Sequence, residues 1–260
     1  MTRVRILVTG GTGTLGREVV RQLAGGQQVV RVLSRRSRLP GSLAELEWAV
    51  GDLSTGAGIE AAVTDVDTII HCASDFRHAK RDLPGTRHFL QKARRGGVGH
   101  LVYISIVGID RVPLGYYQVK LAEERLIEES GLAWTIQRAT QFHDLIFSLL
   151  AAAARLPVMV LPAGVRDQPV DTGEVATRLV ELAAGPPLER VPDLGGPQIR
   201  TFRELALAYL RASGQRRLLL PARLPGAVFR AYRQGGHLAP DHAEGRRTFE
   251  EYLTTRFALA

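Results

Sequence analysis

Gly10, Gly13 and Gly16 stand three residues apart, directly after the apolar run Val4–Val8. Helical spacing starts within this stretch, with Leu15, Val19, Val20 and Leu23. A strand, a glycine turn and a helix N-terminus aim backbone N–H groups and the positive helix end at an anion. Without Cβ atoms the turn can bend, a phosphate can approach the backbone, and the helix can pack on the strand. The chemistry this spacing could do is to hold the pyrophosphate of a dinucleotide, with Thr12, Thr14 and Leu15 completing the turn. A second cue lies at the end of the next apolar run, which reads Val32-Leu33-Ser34-Arg35-Arg36. An Asp or Glu at that point would bind the ribose diol of NAD. Ser34, Arg35 and Arg36 offer no carboxylate, and a guanidinium forms charge-assisted bonds to a 2′-phosphate. The expected cofactor is therefore NADP(H).

These residues need a scaffold. The apolar segments ending at Ser34, Val50, Cys72, Ser105 and Arg138 read as further strands, separated by helical patterns at Ile59–Val63, Asp82–Arg95 and Tyr117–Ser130. Strands alternating with helices predict an α/β fold, a Rossmann-type doubly wound parallel sheet. Gly51-Asp52-Leu53 follows the third strand and fits an adenine-edge contact, with Asp52 accepting from the exocyclic amine; Asp52 is equally a helix-capping residue. His71-Cys72-Ala73-Ser74 closes the fourth strand with small residues, where the backbone would run beside a cofactor ribose. Cys72 reads as a small buried hydrophobe and not a nucleophile. Past residue 140 the rhythm weakens and prolines punctuate short elements. The expected division is a core over 1–145 and a small C-terminal substrate lobe over 146–260, partly interleaved. In that lobe Phe202–Ser213 reads as a helix and Pro221–Pro225 as a turn.

The composition, 45% hydrophobic and 23% charged, is that of a globular chain. No apolar run approaches the roughly 20 residues that span a bilayer. One cysteine excludes an internal disulfide, no Cys/His cluster suggests a metal, and Met1 leads straight into the first strand, so a cytoplasmic protein is expected. The net charge of +8 raises the question of nucleic acid. The arginines are scattered, and no recognition helix or aromatic stacking pattern accompanies them, which points away from that partner. Monomer and homodimer both remain open.

In order along the chain, TGGTGTLG at 9–16, GDL at 51–53, HLVYISIVG at 100–108, YYQVK at 116–120 and SGLAWTIQRATQFHD at 130–144 resemble the atypical short-chain dehydrogenases with an NmrA-like NAD(P)-binding domain. The resemblance covers residues 1–145 closely and the rest loosely. It implies a catalytic Tyr-x-x-x-Lys pair, matched by Tyr116 and Lys120. Four residues apart on a helix, the two share a face. The ammonium would lower the phenol pKa and hold the nicotinamide ribose, while the phenol passes a proton as hydride moves. Ser105 falls in the stretch that touches cofactor. Val107 stands where the family usually has a Ser or Thr that polarises a carbonyl. Gln141, Phe142 and His143 follow the sixth strand, at the edge where substrate would sit. His143 could polarise a carbonyl there, or simply bond backbone at a helix start.

The resemblance implies an NADPH-dependent reductase of a carbonyl or activated double bond in a small apolar metabolite. Two other readings stand beside it. One is a non-catalytic NADP(H)-binding sensor, to which the missing hydroxyl at Val107 would be suited. The other is a nucleotide-sugar epimerase, for which the second lobe is short.

Overall fold

Ile6, Leu7 and Val8 are at most 6% exposed, because their strand lies inside a sheet covered on both faces. The computed structural model describes residues 3–37, 45–74 and 79–258. In chain order the first elements are β1 (Arg5–Thr9), α1 (Thr14–Leu23), β2 (Val29–Ser34), β3 (Glu47–Val50), α2 (Ile59–Val63), β4 (Thr68–His71), α3 (Ala79–Arg95), β5 (His100–Ile106), α4 (Gly115–Glu128) and β6 (Trp134–Ala139). There follow α5 (His143–Ala153), β7 (Val158–Pro162), β8 (Arg166–Asp167), α6 (Thr172–Ala184), β9 (Glu189–Arg190), β10 (Arg200–Thr201), α7 (Phe202–Ala212), β11 (Leu218–Ala222), α8 (Ala227–Arg233) and α9 (Phe249–Ala258).

Seven strands make the central sheet in the order β3-β2-β1-β4-β5-β6-β9. It is a parallel sheet, with Thr9 registered on Leu33 to one side and on His71 to the other. The order reverses between β1 and β4, the switch point at which α/β sheets bind ligands. The fold is the expected Rossmann type.

The chain divides into two units, each discontinuous in sequence. Unit 1 comprises residues 1–105, 118–137 and 175–191; unit 2 comprises 106–117, 138–174 and 192–260. In unit 1 one core cluster packs Leu7 and Leu33 with Ile59, Ile69, Phe89, Leu101, Tyr103, Ile127 and Ile136. In unit 2 a second cluster packs Ile146 and Leu150 of α5 with Met159, Leu205, Tyr209, Phe249 and Leu253. Thr201 and Glu204 start α7 with a reciprocal capping box. Thr248 and Glu251 make the same exchange ahead of α9, a helix the apolar periodicity did not suggest.

The segment read as a turn at Pro221–Pro225 begins inside a strand. β11 runs parallel to β7 through Pro221, with Leu218 on Val158 and Leu220 on Val160. A proline is tolerated in this two-stranded pair because its missing N–H falls on an unpaired edge. Among the described residues no helix is long and apolar enough to cross a membrane, and no cluster of His, Cys, Asp or Glu could hold a metal ion.

Candidate functional site

Four parallel strands of unit 1 end side by side, and the residues that follow them line one cleft. Its volume is about 580 Å³. β1 contributes Gly10, Thr12 and Gly13; β2 contributes Ser34 and Arg35; β3 is followed by Asp52, Leu53 and Ser54; β4 contributes His71, Cys72, Ala73 and Ser74.

The glycine turn has a different reason at each position. Gly10 has φ +66°, and a Cβ there would meet the Ala73 backbone at 2.7 Å. A Cβ on Gly16 would fall 2.1 Å from Gly10 O, so this glycine lets α1 pack on the turn. Gly13 is the residue that leaves room for a ligand: a Cβ would meet only Gly10 O, at 3.2 Å, and otherwise point into open space. Gly13 is also the N-cap of α1, and no side chain caps it. The first backbone N–H groups of α1 are thus left for an anion. Leu15 is buried in the core, and Thr14 is exposed. This cradle fits a dinucleotide pyrophosphate.

Arg35 lines the cleft, whereas Arg36 is exposed beside it, its backbone N–H donating to Ser34 Oγ at 3.1 Å. Asp52 Oδ1 accepts from Ser54 N at 2.8 Å and from Ser54 Oγ at 2.7 Å. These bonds hold its carboxyl below the usual range. Asp52 therefore shapes a turn as well as lining the cleft. Desolvation pushes the Cys72 thiol up to about 12, which keeps it protonated at neutral pH.

The floor of the cleft holds a polar network that motif reading missed. Glu123 lines the cleft with Thr86 and His71, yet is only 2% exposed. Its carboxylate accepts from Tyr103 Oη at 2.5 Å and Thr86 Oγ1 at 3.1 Å, and stands 3.3 Å from Lys120 Nζ. Burial pushes the Glu123 carboxyl up, but Lys120 and the Tyr103 hydroxyl outweigh it and leave it below the usual range. Lys120 is 3% exposed, donates to Ile104 O at 3.3 Å and lies 4.2 Å from the Tyr103 ring centre. His71 stacks between Phe89 and Tyr103 and hydrogen-bonds Thr9 Oγ1 at 2.6 Å. Desolvation lowers its pKa to about 4, so it is neutral. Lys120 and Glu123, three apart on α4, could have been read as a pair on one helix face.

The other expected residues are not among those that line this cleft. Tyr116 is half-buried in the first turn of α4, its ring 6.4 Å from that of Tyr117. It clusters with unit 2, Lys120 with unit 1. Ser105 is 2% exposed, and its hydroxyl has no hydrogen-bond partner. Val107 is fully buried. Gln141 donates to Tyr117 Oη at 2.8 Å, and Phe142 is the N-cap of α5. His143 is enclosed against Phe249 and Tyr252, with Nε2 3.0 Å from Arg247 O. Its bonding is that of a helix-start histidine tied to backbone.

A family model for NAD(P)H-binding domains matches residues 10–184, the stretch that contains the glycine turn, Arg35 and the Glu123 network. The chain belongs to this NAD(P)H-binding family. Three proteins of Mycobacterium bovis and Mycobacterium tuberculosis are 29% identical over 212 residues, 79% of this chain, and the chain spans 23% of their length. A Streptomyces griseus reductase of a (4-alkanoyl-5-oxo-2,5-dihydrofuran-3-yl)methyl phosphate is 29% identical over 217 residues, 81% of this chain and 74% of the relative. Two solved structures share the fold: the Escherichia coli NADPH-dependent quinone oxidoreductase QOR2 with NADPH (TM-score 0.82, 20% identity, 97% of this chain, 99% of that one) and the Citrobacter sp. triphenylmethane reductase with NADP(H) (TM-score 0.80, 20% identity, 97% and 99%). The atypical short-chain dehydrogenase resemblance and the NAD(P)H cofactor are borne out at this level.

Proposed function

We propose that this family member is an NADPH-dependent reductase acting on the carbonyl or activated double bond of a small apolar metabolite. The observation that carries the reading is Arg35 in the cleft, where an NAD-preferring site would present a carboxylate. The reductases among the relatives support the reaction class.

When bound, the dinucleotide supplies hydride. The backbone N–H groups at Gly13 and the start of α1 would hold its pyrophosphate, and Arg35 its 2′-phosphate. The wall formed by Cys72, Ala73 and Ser74 would leave space for ribose. Glu123 holds the Lys120 ammonium, whose remaining N–H would bind a ribose hydroxyl. Tyr116, one turn before Lys120 on α4, would donate the proton to the substrate oxygen.

A second reading, an NADP(H) sensor without turnover, is favoured by two observations. Lys120 already has two partners, Ile104 O and Glu123, and fully buried Val107 supplies no hydroxyl. The epimerase reading rests on fold alone, since sugar-nucleotide epimerases share the fold at 20% identity or less. Steady-state NADPH oxidation with a panel of quinones, enones and ketones separates the first two. Turnover with any member supports the reductase. Stoichiometric NADPH binding with no oxidation across the panel supports the sensor.

A further inference from the structure

Unit 2 carries an apolar face bordered by arginines. In the β7–β11 pair Met159 and Leu161 turn into the core, whereas Val160, Leu218 and Leu220 turn outward and are 53%, 67% and 51% exposed. Leu156, just ahead of β7, is 61% exposed. Four large aliphatic side chains therefore stand in water on neighbouring segments. At the start of both strands Arg155, Arg216, Arg217, Pro157 and Leu218 line an open hollow of about 630 Å³. Arg217 is anchored there, its Nε donating to Ala154 O and its Nη1 to Arg216 O, each at 2.8 Å. Exposed Arg223 follows the far end of β11. No Asp or Glu occurs between Leu205 and Ala239, so the sequence around β11 does not offset this charge.

We propose that this face seats the protein on an anionic lipid surface. The leucines and Val160 would dip among acyl chains, while the arginines bind phosphate headgroups. Aliphatic groups beside guanidiniums are the side-chain set that partitions into a membrane interface, because arginine stems lie along apolar surface while their heads stay with phosphate. A second copy of the chain is a poorer occupant, since a two-fold contact would bring the same arginines face to face. A free phosphate would leave the aliphatic groups in water. The inference stands on unit 2 alone and does not depend on the reductase reading.

The test is co-sedimentation of the full chain with phosphatidylcholine vesicles, with and without phosphatidylglycerol. Binding is expected to the anionic vesicles only, and to fall as salt rises. Arg155→Gln and Arg216→Gln should each weaken it roughly fivefold, and the double variant Leu218→Glu/Leu220→Glu by at least about tenfold. All three are surface changes and should keep the wild-type melting curve. Wild-type protein that stays in the supernatant, or binds both vesicle types equally, would overturn the proposal. So would a dimer in analytical ultracentrifugation that Leu218→Glu/Leu220→Glu dissociates without any vesicle binding. Thermal stabilisation by inorganic phosphate with no sedimentation would assign the hollow to a small anion instead.

Discussion

The Lys120 ammonium and the Glu123 carboxylate stand 3.3 Å apart, with side chains only 4% and 2% exposed. Taking both charges out of water is costly, and further hydrogen bonds to each partner offset that cost. Ile104 O takes one lysine proton, and the Tyr103 and Thr86 hydroxyls fill the carboxylate. The network joins β5, α3 and α4 directly under the cleft.

Glu123→Gln keeps the shape and removes the charge, leaving the ammonium uncompensated. The expected loss of stability at neutral pH is about 3–5 kcal/mol, read by urea denaturation. The carboxyl lies below its usual range in the folded state, so its stabilisation is present above the ordinary carboxylate pKa and is lost as pH falls through the lower folded value. The penalty of Glu123→Gln should shrink accordingly in acid. Lys120→Met/Glu123→Leu should cost less than the two single changes added together. Additive costs would show that the pair does not act as one.

Two glycines of the same turn should respond differently to valine. Gly13→Val points its side chain into open space, so the protein should fold while NADPH binding, measured by calorimetry, is lost. Gly16→Val drives a Cβ to 2.1 Å from Gly10 O, so it should reduce folded yield before any ligand is added. Retained NADPH affinity in Gly13→Val would remove the glycine turn from the binding site.

Arg35→Ala should weaken NADPH roughly ten- to hundredfold, the worth of charge-assisted hydrogen bonds of about 1.5–3 kcal/mol, and leave NADH affinity little changed. Arg36→Ala should have the smaller effect, because only Arg35 lines the cleft. Fluorescence titration of both variants with both dinucleotides decides it. Wild-type protein that binds NADH as well as NADPH would sink the phosphate assignment.

If Tyr116 is the proton donor, Tyr116→Phe should abolish turnover and spare NADPH binding. Lys120→Ala should damage both. The double variant should be little worse than either, as for residues that act as a unit. Turnover that survives Tyr116→Phe would move the proton source elsewhere.

Asp167 is 4% exposed, and burial pushes its carboxyl up to about 7, against the hydrogen bond from Gln168 N. The folded state therefore keeps a proton that the unfolded chain has released. Stability from this group is fully present below about pH 4 and is lost as pH rises toward 7. Asp167→Asn should gain up to about 4 kcal/mol over wild type at pH 8 and nothing at pH 4. Thermal melts at the two pH values test this, and an equal shift at both would contradict it.

The sheet, the glycine turn and Arg35 were legible because each rests on local pattern: a buried strand, a three-residue glycine spacing, a strand end. Helix α7 was legible by periodicity, with Leu205, Tyr209 and Leu210 buried. α9 was not, because its amphipathic stripe is weak; its signature was Thr248 followed three residues later by Glu251. β11 was hidden by Pro221, which reads as a turn until a neighbouring strand is known. The Glu123 network was hidden for another reason. Thr9, His71, Thr86 and Tyr103 are scattered over four elements, and nothing in a linear pattern says that a threonine and a tyrosine will meet one carboxylate. His143 shows the converse, a residue with catalytic potential whose surroundings enclose it against aromatic rings and backbone.

The pairing of Thr135 with Glu189 places the outermost strand of the large sheet far downstream of its partner. During vectorial synthesis β6 therefore leaves the ribosome with one edge bare, and stays so while α5, β7, β8 and α6 are made. A nascent chain arrested anywhere before Glu189 carries an open, ready-to-pair edge, a template for aggregation. The seven-stranded sheet can close only after residues of unit 2 have already emerged, so in biosynthesis neither unit can be finished ahead of the other's beginning.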